Sequence, residues 1–177
     1  MERRLRAVAQ SVPNEREKTV NACQNTNATS AYTVIGLVLA TAIGAMPLPV
    51  RATDIAWYAE TMTTYSVWPI TERTGTVALE TGERASLVSK STADLSDDKG
   101  MTPWKAEYVL CFDDGSVITI RSAGTFDQRT EVSIGAGEFL SGTGRFEGIT
   151  GKLTQVSRFS SSSVGTDFVG SYSLSNK

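Results

Sequence analysis

The chain has 177 residues, a formal net charge of −2 and no histidine. That length suffices for one domain with a real core, and the commonest metal ligand and neutral-pH general base are missing. Residues 53–177 carry 11 basic against 16 acidic side chains with no basic stripe, which excludes nucleic acid as a partner. The two cysteines, Cys23 and Cys111, form no CxxC motif, so no metal is expected and Ser-His or Cys-His catalysis is ruled out.

The N-terminal part differs from the rest. Residues 1–52 hold six basic and three acidic side chains, and "QNTNATSA" has no core-forming pattern and reads as disordered. The run Ala31–Met46, "AYTVIGLVLATAIGAM", has no charge over 16 residues, short of the 18 or more of a stable membrane span. "PLPVRATD" follows, with Val50 and Ala52 at the −3 and −1 places of a small-residue cleavage site. We therefore expect a leader plus signal peptide over 1–52, cut after Ala52, and one domain over 53–177. A cut after Ala45 competes, and a membrane anchor or a core helix are the other readings of the run. Cleavage would leave no membrane span and a secreted or periplasmic protein. Cys111 would then be the one thiol in an oxidising compartment, where a buried core position suits it.

Strand signals follow at short spacing. "DIAWYAETMTTYSV" is aromatic and β-branched, and "TGTVALE" (74–80) alternates with Val77 on one face. "ERASLVSKSTADL" reads as a strand and "SDDKGMTPW" as a loop without calcium-loop spacing. In "WKAEYVLCF" the residues Trp104, Ala106, Tyr108, Leu110 and Phe112 share one face. "DDGS" (113–116) is an Asp-Gly hairpin turn, returning through "VITIRSAGTF". "TEVSIGAG", "GKLTQVSRF" and "DFVGSYSLS" complete the set. No segment has a capped 3.6-residue period. Short antiparallel strands with Gly and Asp turns predict an all-β sandwich or closed barrel.

The stretch Ser133–Thr154 holds six glycines. Its spacing, Gly142-x-Gly144-x-x-x-Gly148, is not the dinucleotide fingerprint, no helix pattern follows it, and no Gly-Lys-Ser/Thr occurs. The glycines therefore read as turns, bulges and close crossings. Phe146 would plug one end of a barrel or pack over glycine-exposed backbone.

"YVLCFDDGSVITIRSAGTF" and, further on, "FLSGTGRFEGITGKLT" resemble the allene oxide cyclase and dirigent superfamily. The shared elements are an aromatic-x-Phe-x-Asp-x-Gly hairpin (here Phe112, Asp113 or Asp114, Gly115) and a later glycine motif. In this chain that motif is Gly142, Thr143, Gly144, Phe146, Gly148 and Gly151, with Ser141 where a glycine is usual. The match spans Tyr108 to Thr154. The resemblance implies an eight-stranded antiparallel barrel with an apolar cavity, assembled as a dimer or trimer. Members cyclise an unstable fatty-acid epoxide, guide radical coupling or cyclise polyketides, with neither metal nor organic cofactor.

Three functions are in play: an exported barrel binding an apolar small molecule, a cofactor-independent cyclase or isomerase on a lipid- or polyketide-like substrate, and a structural protein with a filled barrel. Trp57, Trp104, Tyr108, Phe112 and Tyr172 are the candidates for lining a cavity. Glu60, Tyr108 and Arg121 are the candidates for catalysis, since a cofactor-free cyclase needs a group that stabilises developing charge. The residues around Glu60, "WYAETMTTY", do not reproduce the plant cyclases' pattern, and if Trp57 and Ala59 face inward, Glu60 faces out. A filled core would favour the structural function, an apolar cavity the binding function, and a cavity with a buried carboxylate, tyrosine or arginine the enzyme. N-terminal sequencing of protein exported by its native host should begin Thr53-Asp54-Ile55; an uncut leader in the cytosol would overturn the export reading.

Overall fold

The computed structural model describes residues 52–175; the apolar run and nearly all of the expected leader lie outside them. Eight strands follow one another: β1 (Thr53–Val67), β2 (Ile70–Ala78), β3 (Arg84–Ala93), β4 (Met101–Phe112), β5 (Val117–Asp127), β6 (Val132–Gly142), β7 (Ile149–Phe159) and β8 (Val164–Leu174). Each pairs antiparallel with the next, and β8 returns to β1, so the sheet closes into a barrel. Among the described residues the helical content is one 3-10 turn, Gly144–Phe146.

Period-two alternation decides which side chains enter the lumen. In β1, Ile55, Trp57, Ala59 and Thr61 are buried between exposed Ala56, Tyr58 and Glu60. Register carries the pattern from strand to strand: Trp104, Gly124, Gly135, Gln155, Phe168 and Trp57 are successive partners across β4, β5, β6, β7, β8 and β1. Strand tilt in a closed barrel makes such a row run obliquely from one end towards the other. On the outer face Glu107, Arg121 and Glu138 are cross-strand neighbours. Mid-strand charge outside an apolar core is the reverse of a transmembrane barrel, whose outer band is apolar.

One end of the lumen is filled. Phe146 is buried and its ring lies 4.7 Å from that of Phe112, with Tyr172 at 6.3 Å. Phe139 joins Tyr172 to Trp57 at 6.0 and 6.1 Å, and Leu110, Ile118, Ile149 and Leu153 occupy the space between. Arg145 covers this plug: its guanidinium sits 4.9 Å over Phe112 and 4.7 Å over Phe146, paired with Glu83 and, at 3.4 Å, with Asp114. The Ser116 backbone N–H and the Arg145 charge hold the Asp114 carboxyl below its ordinary range. The turn latches onto the β4–β5 hairpin, with the Arg145 backbone N–H donating to Ser116 Oγ at 3.2 Å and the Val117 N–H to Thr143 Oγ1 at 3.0 Å. Gly144, at φ +61°, turns the chain where a side chain would also collide with Ser116. Gly142 and Gly144 thus serve the turn that seats Phe146 as a plug.

The structure corrects three expectations. Met101–Trp104 opens β4 instead of ending a loop; Pro103 is tolerated because β3 pairs with β4 only as far as Ala93↔Trp104. β2 starts at Ile70, ahead of the alternation visible from Thr74. Cys111 is not a core residue: it lies half-buried on the outer face, between inward Leu110 and Phe112. The other cysteine of the sequence, Cys23, lies outside the described residues. Phe146→Ala should lose about 3–5 kcal/mol in urea unfolding, because the plug leaves a void that flanking rings cannot fill; a loss under ~1 kcal/mol would show that Phe146 does not carry the closed end.

Candidate functional site

Towards the opposite end the same inward-facing rows turn polar. Arg73 on β2, Ser89 on β3 and Tyr108 on β4 are successive register partners. From the far wall Gln155 on β7 reaches Tyr108, its Nε2 donating to the tyrosine oxygen at 2.8 Å. The phenol proton finds no acceptor among the described residues and remains available to donate. Tyr108 packs edge-on against Phe168 at 5.5 Å. Although it stands between buried Leu110 and Ala106, it keeps accessible surface. An inward side chain in mid-barrel is accessible only from the lumen, so this half is less filled than the plugged one.

Aromatic rings flank this half towards the rim. Phe126 and Phe159 meet at 4.9 Å, both half-buried, and the Arg73 guanidinium lies 5.4 Å over Phe159. Trp104 lies across two glycines on neighbouring strands: a methyl added at Gly124 or Gly135 would come within 2.6 Å of the indole. Both positions need the missing Cβ so that the ring can cross the inner surface of the sheet.

The electrostatics are unusual for an interior. No Asp or Glu stands at an inward-facing strand position among the described residues. Arg73 has no carboxylate within ion-pair reach there, and arginine keeps its charge at neutral pH. Burial pulls its pKa down, while Tyr108 opposes that shift. Burial pushes the Tyr108 phenol up, with the Gln155 hydrogen bond and the Arg73 charge acting in the opposite direction. Four buried polar atoms lack a protein partner: Arg73 Nε, Trp104 Nε1, Ser122 Oγ and Gln155 Oε1. All four belong to inward-facing residues, and a buried group left unpaired costs about 1–3 kcal/mol. Donors predominate, which suits a ligand that offers oxygen acceptors.

The sequence-expected residues divide into three groups. Trp104 and Tyr108 come together in the less filled half. Trp57, Phe112 and Tyr172 belong to the packed half, where Trp57 and Phe112 are buried and Tyr172 packs against them. Glu60 and Arg121 stand exposed on the outer face, out of reach of the lumen. Arg73, Gln155 and Ser122 were not singled out by sequence. Running the alternation back from Val77 through Gly75 reaches Arg73, and Leu153-x-Gln155-x-Ser157 marks Gln155 in the same way.

Comparison with known protein-family models and with curated proteins finds no match to this chain.

The raised phenol pKa fixes a pH dependence. The unfolded chain ionises Tyr108 near the ordinary 10.0 and the folded one only above it, so stability is intact below pH 10 and falls as pH rises towards the folded pKa. In alkaline urea titrations Tyr108→Phe should lose less stability above pH 10 than the wild type, after starting about 1–2 kcal/mol lower because the Gln155 amide is left unpaired. Equal alkaline slopes would contradict the buried phenol.

Proposed function

We propose that this is an exported barrel of the allene oxide cyclase and dirigent-like type that binds one small molecule in the hollow half of its lumen. The observation that carries the reading is Tyr108, which keeps accessible surface in mid-barrel beneath a rim of Trp104, Phe126 and Phe159. An aromatic-walled concavity with a few converging polar groups is the usual form of a small-ligand site, and an eight-stranded barrel is wide enough for one such ligand. The purely structural function accounts for the packed half alone.

Arg73 on β2 and Tyr108 on β4, in one register row across Ser89, favour a second reading, chemistry on the bound molecule. A cofactor-free cyclisation or isomerisation needs a shaped site and donors placed where negative charge develops. Tyr108 would donate to the developing oxyanion, Arg73 would stabilise it, and the aromatic wall would fix the substrate's conformation.

Native mass spectrometry of the exported protein, followed by solvent extraction, should recover a co-purifying organic molecule. Apolar compounds should shift the tryptophan emission at micromolar concentration, and Trp104→Phe should remove most of that shift. If nothing co-purifies and no compound in a broad panel of lipids, polyketides and aromatics moves the emission, the structural function takes its place.

A further inference from the structure

Arg73 is a half-buried cation, its Nε buried and unpaired, without a counter-ion among the described residues. Its strand neighbours on the inner face are Thr71 and Gly75 along β2, Thr63 across on β1 and Ser89 across on β3. Its described surroundings include one ring, Phe159, at 5.4 Å, and one phenol, Tyr108, one strand further on. No carboxylate comes within 4.0 Å of it among the described residues, whereas the exposed Arg129, Arg145 and Arg158 each have an Asp or Glu partner. Three exposed arginines thus have partners that they hardly need, while the inward-facing one, half-buried, lacks a carboxylate. Trp104 Nε1, Ser122 Oγ and the Tyr108 hydroxyl add donors without acceptors.

The length of β4 between these donors and the rim sets how deep a ligand beside them could reach. From Tyr108 to the rim at Thr102 β4 runs ~20 Å along the strand, or about 15 Å along the barrel axis at ~40° tilt. An extended long acyl chain exceeds that depth, whereas one or two fused rings fit within it. The Trp104 indole, laid across Gly124 and Gly135, offers a planar surface.

Resting on the small-molecule reading above, we infer that the hollow half is an anion site, in which Arg73 pairs with the carboxylate of a planar aromatic acid whose rings lie against Trp104 and the Phe126–Phe159 pair. The carboxylate accepts from the guanidinium and from the Tyr108 hydroxyl. It supplies the counter-charge that the fold omits, and a charge-assisted pair in such surroundings is stronger than a neutral hydrogen bond.

The test uses the full exported protein and three probes: 1-naphthoate, its methyl ester and decanoate. Binding is read by calorimetry and tryptophan emission in the wild type, Arg73→Met and Arg73→Lys. The wild type should bind naphthoate at least tenfold more tightly than the ester, and more tightly than decanoate. Arg73→Met should abolish the preference over the ester while leaving the ester's own affinity within about twofold, and Arg73→Lys should restore part of it. Without ligand, Arg73→Met should raise the urea midpoint, because it removes an unpaired, half-buried charge from the lumen; a lowered midpoint would mean that Arg73 is a structural residue with partners in the fold. Equal affinity for naphthoate and ester in both wild type and Arg73→Met would overturn the anion site and leave small-molecule binding standing. Tighter binding of decanoate would overturn the aromatic class alone. If no probe binds, and none of the broader panel does, the small-molecule reading fails and the anion site with it.

Discussion

A closed eight-stranded sheet gives every strand one row of side chains to place in a lumen of fixed width. The width cannot adjust to the contents, so the side chains must adjust to the width. At the plugged end they do so with rings: Phe112, Phe146, Phe139 and Tyr172 meet edge to face or tilted at 4.7–6.3 Å. Glycines make room wherever a ring or a neighbouring backbone comes too close, as at Gly124 and Gly135 beneath Trp104. The same geometry that seals one half leaves the other with side chains too few or too polar to fill it.

The barrel therefore divides along its axis into a part that stabilises and a part that tolerates instability. The first buries apolar surface and covers it with Arg145. The second accepts an uncompensated guanidinium, an indole N–H, a hydroxyl and an amide oxygen without partners. Natural folds break the rules of polar satisfaction mainly where function requires it. Here the breaches gather on inward-facing residues of β2, β4, β5 and β7.

The architecture was legible because its signals are local. The Asp-Gly turn, the alternation from Trp104 to Phe112 and the glycines around Phe146 each depend on neighbours in sequence. The identity of the site was less so. Tyr108 and Trp104 were visible as aromatics on an inward face, but Trp57 and Phe112, equally aromatic and inward, ended in the packed half. Which half a residue enters depends on the tilt of the sheet, and tilt is a property of the closed barrel that no single strand displays. Arg73 was passed over because "TER" breaks the apolar pattern that identifies a strand; a functional charge in a lumen erases the periodicity that would reveal it. Glu60 drew attention for its chemistry, and period two then placed it outside.

The ladder that closes the barrel also governs how the chain reaches this state. Seven of the pairings join consecutive strands, whose hairpins can form in microseconds from nearby residues. The eighth joins β1 to β8, and its members Thr61 and Val164 are 103 positions apart. Closure must gather almost the whole domain before it returns any hydrogen bond, so it is the slow event in folding. Until β8 arrives, β1 presents Ile55, Trp57 and Ala59 on an unpaired edge. A chain that emerges N-terminus first displays that edge for the longest time, and it is in this interval, more than in the finished barrel, that the protein is exposed to aggregation.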